Sequence, residues 1–283
     1  MIKKITLLFC IVPMIMVAQD DLLKEIDTMS SNNELVTAAF KSLKIVNLES
    51  TKLAAKGDIY FVVAHRFGYL DKGFEDFFGL DEANTRLQFV YGLTNGITFH
   101  ASRSGFQKTY EFATKYRLIG QKKQGFPFEI VGFNSLAINT ELEKSVLPKL
   151  EFTDRLAYVN QILISRKFND NLSLEIAPTH FHQNYVANNS QDNSQFAIGL
   201  GGRYKFTKRW SFNMDYAAHL NRASNSVFKN PLSVGFDLET GGHVFQMHFT
   251  NSQAMHESGY LGNTTGNWSD GKIAFGFNLI RVF

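Results

Sequence analysis

The last twelve residues, Lys272–Phe283 (K-I-A-F-G-F-N-L-I-R-V-F), alternate with a period of two. Ile273, Phe275, Phe277, Leu279 and the terminal Phe283 are apolar, whereas Lys272, Ala274, Gly276 and Asn278 between them are small or polar. Successive side chains of a strand point to opposite faces, so this is a β-strand with one greasy side. Arg281 falls on the apolar face, which suits a level where its stem lies on apolar surface and its head reaches water. A soluble sandwich and a membrane barrel can both end this way, and the other strands discriminate between them.

The same rhythm recurs from Gly57 onward. Ile59, Phe61 and Val63 begin a first strand that runs to about Phe67. Leu87, Phe89, Tyr91 and Leu93 form the second, and Thr94-Asn95-Gly96 turns tightly into a third with Ile97, Phe99 and Ala101. Tyr110, Phe112, Thr114, Tyr116 and Leu118 oppose Glu111, Ala113, Lys115 and Arg117 in the fourth, the cleanest of all. A fifth strand, about Phe128 to Ile138, has a parity that the residues leave open. Six more precede the final strand, over about Asp154–Lys167, Leu172–His182, Phe196–Phe206, Trp210–His219, Leu232–Glu239 and Phe245–Phe249. That makes about twelve. Joins after the second, sixth, eighth and tenth strands are tight, the one after the fourth is moderate, and those after odd-numbered strands are longer, the third excepted.

Short turns on one rim, long loops on the other and an even strand number describe a transmembrane antiparallel up-and-down β-barrel with both termini periplasmic. In lipid every backbone N–H and C=O must be paired, so the sheet has to close on itself. Its outer face is then apolar, and its inner face is free to hold charge. Composition agrees: 27 Phe and 10 Tyr stand against 5 Pro, an excess that suits strands and interfacial girdles. Residues 57–283 are read as one barrel domain, with surface loops led by Gly68–Ala83 and Ser252–Gly271.

The N-terminus reads differently. Lys3 and Lys4, an apolar core from Ile5 to Val17 and Ala18-Gln19 ahead of Asp20-Asp21 describe a signal peptide over residues 1–19. Cys10, the one cysteine, lies inside it, so the exported chain is expected to hold no disulfide, thiol nucleophile or cysteine-ligated metal. Removing Lys3 and Lys4 takes the formal charge from +3 to +1, with 27 basic against 26 acidic side chains, and nucleic acid is excluded as a partner. Residues 20–56 are expected to form a periplasmic segment or a plug in the barrel mouth, beginning with a short amphipathic helix over Asp20–Ser30.

Two stretches carry more than patterning. One is His65-Arg66-Phe67-Gly68 with Phe78-Gly79-Leu80-Asp81, Ala83-Asn84, Arg86 and Tyr91-Gly92-Leu93-Thr94; the other is Arg103-Ser104 with Lys108-Thr109-Tyr110-Glu111 and Lys115-Tyr116. Both resemble a family of bacterial outer-membrane β-barrel proteins known only as a domain of unknown function. The resemblance runs from around Phe40 to Phe283. It implies barrel and location, and it brings no activity.

By parity the inward face includes Arg86, Glu111, Lys115, Arg117, Glu175, Arg203, Lys205, Asp215, Asp237 and Glu239. These residues form either a ladder of ion pairs filling a narrow lumen or a charged constriction that selects small solutes. The expected role is therefore a narrow channel or a membrane-embedded scaffold.

The alternative is a lipid hydrolase. His100 and Ser102 share a face, an arrangement similar to the nucleophile and base of the outer-membrane phospholipase, with Thr114 in place of its third polar partner. That enzyme's catalytic face points to lipid, whereas parity turns this pair inward. His180 and His182 share a face of the seventh strand, yet two ligands make no metal site, and neither metal nor cofactor is expected. Expected partners are outer-membrane lipid, the barrel-assembly machinery through the C-terminal strand, and a small solute or periplasmic protein.

Overall fold

A computed structural model describes residues 34–283. The leader and the Asp20–Ser30 helix read from sequence lie outside the described residues. Twelve strands follow: β1 (Ile59–Tyr69), β2 (Ala83–Thr94), β3 (Ile97–Ser104), β4 (Thr109–Ile119), β5 (Glu129–Asn139), β6 (Leu156–Lys167), β7 (Leu172–Gln183), β8 (Ser194–Lys205), β9 (Trp210–His219), β10 (Leu232–Thr240), β11 (His243–Thr250) and β12 (Ala274–Val282). Each pairs antiparallel with its chain neighbours, and β12 returns to β1 to close the barrel. At the seam the Phe283 N–H donates to the Ile59 carbonyl at 2.9 Å.

Local chemistry explains the tight rim. Asn169 Oδ1 accepts from the Asn171 and Leu172 N–H groups, and Thr207 Oγ1 accepts from those of Arg209 and Trp210. Such side chains stand in for a strand partner and reverse the chain within a few residues. Gly241 holds a positive φ of 30° at the β10–β11 turn. The termini of the barrel share this turn rim, and the longer connections form the opposite loop rim.

The outward face is the greasy one. Phe89, Phe99, Phe112, Leu200, Phe236 and Met247 are all exposed along it, while the residues between them are buried. Strand β5 runs against this trend, because Val131 and Phe133 point inward and Gly132 and Asn134 outward. The inward pair belongs to an apolar cluster with Phe40, Ile45, Leu48 and Leu53, residues that precede the barrel.

That cluster exists because the lumen is filled. Residues 34–36 pair with Gln121–Lys123 at the turn rim, and residues 38–56 then enter the barrel as a hairpin. The hairpin reverses where the Ile45 N–H donates to the Leu48 carbonyl at 2.8 Å, and its arms pair through Ser50 N–H and Leu43 C=O at 3.0 Å. Its tip rests on the small inward face of β8: a Cβ added at Gly201 would stand 2.1 Å from Ile45 Cδ1. From the loop rim the β11–β12 connection also turns inward, and its helix α1 (Glu257–Gly262) is wholly buried. Sequence reading placed Ser252–Gly271 among the surface loops; the structure corrects this for its buried first part, which finds partners on the inner wall.

Candidate functional site

Inward parity brings the charges of several strands to one place, and the hairpin is what most of them hold. On β9, Asp215 Oδ2 accepts the N–H groups of Val46, Asn47 and Leu48 at 2.9, 2.7 and 2.9 Å. Three successive backbone donors converging on one carboxylate oxygen form an anion nest, here closed by the protein's own side chain. Asp215 Oδ1 accepts from the Tyr260 hydroxyl of α1 at 3.4 Å, so one residue joins the two inserted segments.

Lys115 of β4 does the converse. Its ammonium donates to the carbonyls of Leu43, Ser50 and Lys52 at 3.0, 2.8 and 3.3 Å and pairs with Glu49 at 2.8 Å. Glu175 of β7 accepts the Thr51 N–H at 3.0 Å. Lys44 forms ion pairs with Glu49 at 3.0 Å and with Glu257 of α1, a second joint between the hairpin and the loop.

Other expected residues serve the loop or the wall. Arg86 donates to Ser102 Oγ at 3.0 Å and to the Met255 carbonyl at 2.7 Å, and pairs with Glu111 at 2.6 Å. Glu111 also accepts the Glu257 N–H at 3.3 Å. Asp237 accepts from Gln246 at 2.8 Å, Arg203 pairs with Glu239, and Arg117 pairs with Glu129 at 3.0 Å near the turn rim. Lys205 lines a hollow of 750 Å³ at that rim, together with Lys41, Lys52, Lys167, Arg203 and Lys208.

Several residues were missed by the sequence reading. Arg66 donates to Asn47 Oδ1 at 2.9 Å and to Asn278 Oδ1 at 3.0 Å, and the parity of β1 would have revealed it. Gln246 donates to the Ile45 carbonyl at 2.5 Å, and its uncharged side chain gave less of a signal. Lys44, Glu49 and Glu257 lie outside the strands, where no period marks them.

The inner hollow left between the hairpin and the β1–β2–β12 wall amounts to 20 Å³, about the space of one water. Toward the loop rim, His256 stands at the residue before α1, without a capping side-chain bond, and lines a hollow of 170 Å³. Burial pushes its imidazole down to about 4; Glu111 opposes this, while Arg86 and Lys44 reinforce it.

His100 and Ser102 do point inward, and no hydrogen bond joins them. Ser102 is held by Arg86, while His100 Nδ1 faces Gln88 Nε2 at 3.2 Å. The Ser102 oxygen accepts from the Arg86 guanidinium, and among the described residues it is bonded to no histidine or carboxylate placed to take its proton. Thr114 lies on the opposite, outward face. His180 packs on Phe196 at 5.2 Å between ring centroids, and His182 shares a hydrogen bond with Ser194 at 2.8 Å. Among the described residues no three potential ligands cluster in a geometry fit for a metal.

A family model described as a membrane bound beta barrel domain (DUF5777) matches residues 40–283. No curated protein matches the chain. Among solved structures, the NanC porin is similar with a TM-score of 0.50 at 11% identity, covering 79% of this chain and 98% of that one. The KdgM porin in complex with disordered oligogalacturonate aligns with a TM-score of 0.48 at 10% identity, over 80% of this chain and 99% of that one. The Acinetobacter baumannii outer membrane protein Omp33 aligns with a TM-score of 0.44 at 8% identity, over 81% and 99%. At such identities the likeness to the NanC porin is one of fold.

Proposed function

We propose that this chain, which belongs to the family of membrane-bound β-barrel domains (DUF5777), is a gated outer-membrane channel closed at rest by its own hairpin. The observation that carries this reading is how the wall charges are used. Asp215, Lys115 and Glu175 bind the backbone of a removable segment rather than one another. Withdrawal of residues 38–56 through the turn rim opens a lumen lined with charge to water and ions, and the inward loop 251–266 is then the remaining constriction at the opposite rim. With the hairpin in place, the space between it and the β1–β2–β12 wall shrinks to about that of one water.

The mouth gives the channel a sign. Lys41, Lys52, Lys167, Lys205 and Lys208 surround the turn-rim hollow, against Asp170 and Glu239. A rim with this excess of cations concentrates anions and favours their passage. The turn rim, where both ends of the barrel lie, faces the periplasm in this reading.

Planar-bilayer recording tests the proposal. The unaltered protein is expected to stay silent, and Asp215→Ala combined with Lys115→Ala to give conductance steps with a reversal potential on the anion side. A double variant that stays silent while its residues 38–56 become open to protease would remove the channel reading. The scaffold reading would then stand, and the apolar packing of Phe40, Ile45, Leu48 and Leu53 favours it.

A further inference from the structure

Hydrocarbon offers no hydrogen-bond partner, so a polar side chain on the outer face of a barrel has to be answered from elsewhere. Around most of this barrel the outward position near mid-strand is apolar: Phe89 on β2, Leu200 on β8, Met214 on β9, Met247 on β11, Phe277 on β12. Four adjacent strands break the rule. Thr114, Asn134, Asn160 and His180 face outward on β4, β5, β6 and β7, directly paired across the strands, with the His180 ring turned onto Phe196 of β8. Apolar outward neighbours flank Asn134 (Gly132, Leu136) and Asn160 (Tyr158, Ile162) along their own strands.

These groups are wired to one another. The ring of Tyr116 lies over Gly132, where an added Cβ would meet it at 2.4 Å, and its hydroxyl donates to Asn134 Oδ1 at 2.9 Å. Asn134 Nδ2 then donates to Asn160 Oδ1 at 2.5 Å. There the chain of bonds stops: Asn160 is exposed, and its amide nitrogen donates to no group among the described residues. Beside it an open hollow of 990 Å³ runs over β2–β6, lined by Phe89, Tyr91, Phe99, Phe112, Leu136 and Tyr158.

We propose that this wall is the contact face of a homodimer, in which Asn160 pairs with Asn160 of a second copy. Insertion fixes which way up a barrel stands, so two equivalent copies are related by an axis along the membrane normal. Each residue on that axis meets itself at its own depth, as an isologous contact requires. A carboxamide is its own complement, since two of them facing each other exchange two N–H···O=C bonds. Lipid tails carry no acceptor at that depth, whereas a second copy brings one by symmetry. The exposed Ile162, beside Asn160 on β6, would then lie against its own counterpart in the second copy.

Single cysteines test the proposal in a full-length chain whose native Cys10 is changed to serine. In membranes under mild oxidation, Asn160→Cys should give a cross-linked band at dimer mass, and Leu279→Cys, six strands away around the ring, should not. No band at Asn160→Cys, or equal bands at both sites, would overturn the proposal. In detergent, mass measurement should give a dimer for the unaltered chain, and a monomer or trimer would also overturn it. Asn160→Leu should keep β-sheet circular dichroism and raise the dimer dissociation constant roughly tenfold, the scale of one polar contact in a membrane. An Asn160→Leu variant that is folded and dimerises as tightly as the unaltered chain would equally defeat it.

Discussion

The hairpin 38–56 and the loop 251–266 fill one lumen from opposite rims, yet different chemistry holds them. Wall side chains grip the hairpin mainly by its backbone: Asp215 takes three N–H groups, Lys115 three carbonyls, Gln246 one more. The loop instead carries its own short helix, which pairs part of its backbone internally (the Tyr260 N–H on the His256 carbonyl, the Asn263 N–H on that of Gly259), and it meets the wall through Arg86, Glu111 and Gln183. A segment without regular structure needs the wall to complete its hydrogen bonding, because a buried backbone group left unpaired costs free energy comparable to a lost bond. That dependence makes the hairpin the segment a wall mutation can release.

Asp215→Ala should show the largest effect. It strands the Val46, Asn47 and Leu48 N–H groups and costs the hairpin about 3–5 kcal/mol, on the scale of breaking a buried charge pair. Protease cleavage within 38–56 should rise while the loop stays protected. If both segments open together, they are one unit and the contrast fails.

Lys115→Met comes next, with roughly 3 kcal/mol lost, since it removes the ammonium from the Ser50 and Lys52 carbonyls and leaves Glu49 with Lys44 alone and the Leu43 carbonyl with the Ser50 N–H alone. Asp215→Ala and Lys115→Met share the hairpin as a target, so their combination should be less than additive in the same assay.

The loop answers to pH instead. His256 is held neutral inside, with its docked pKa near 4 below the free value of about 6.5. Docking therefore contributes fully above pH 6.5 and weakens as pH falls towards 4. Between pH 6.5 and 5 the loss is about 2 kcal/mol. Hydrogen exchange in residues 254–263 should quicken over that interval, His256→Gln should flatten the dependence, and the hairpin should change less. The smallest effect is expected of Gly201→Ala. The new methyl presses on the flexible end of Ile45, and repacking there should cost about 1 kcal/mol, read as a slight rise in hairpin cleavage.

Strand after strand was legible in the sequence, because the two solvents of the wall sort residues by parity. The alternation Tyr110, Phe112, Thr114, Tyr116 against Glu111, Ala113, Lys115 needed no coordinates. β5 failed the same reading for a physical reason: Val131 and Phe133 face an apolar filling, Gly132 is covered by Tyr116, and Asn134 belongs to the outward polar row. Parity can report two environments only when they differ in polarity. The charged wall residues were visible by the same rule, but not what they hold. Nothing local couples Asp215 to Val46 or Lys44 to Glu257, and the Asn, Gly and Ser content of 251–266 looks the same whether water or a wall satisfies its backbone. The pair His100 and Ser102 was legible in its facing, whereas the Arg86 contact that occupies Ser102 had to be seen.

The hairpin stands before the first strand of the ring it fills, and that sets an order of events during biogenesis. Asn47 must wait 168 residues for Asp215 to emerge, and Gln246 is still farther along the ribbon. Contacts so distant along the chain carry a heavy loop-closure penalty before they give anything back. The filling and the seam between β1 and β12 therefore belong to the same late stage of assembly.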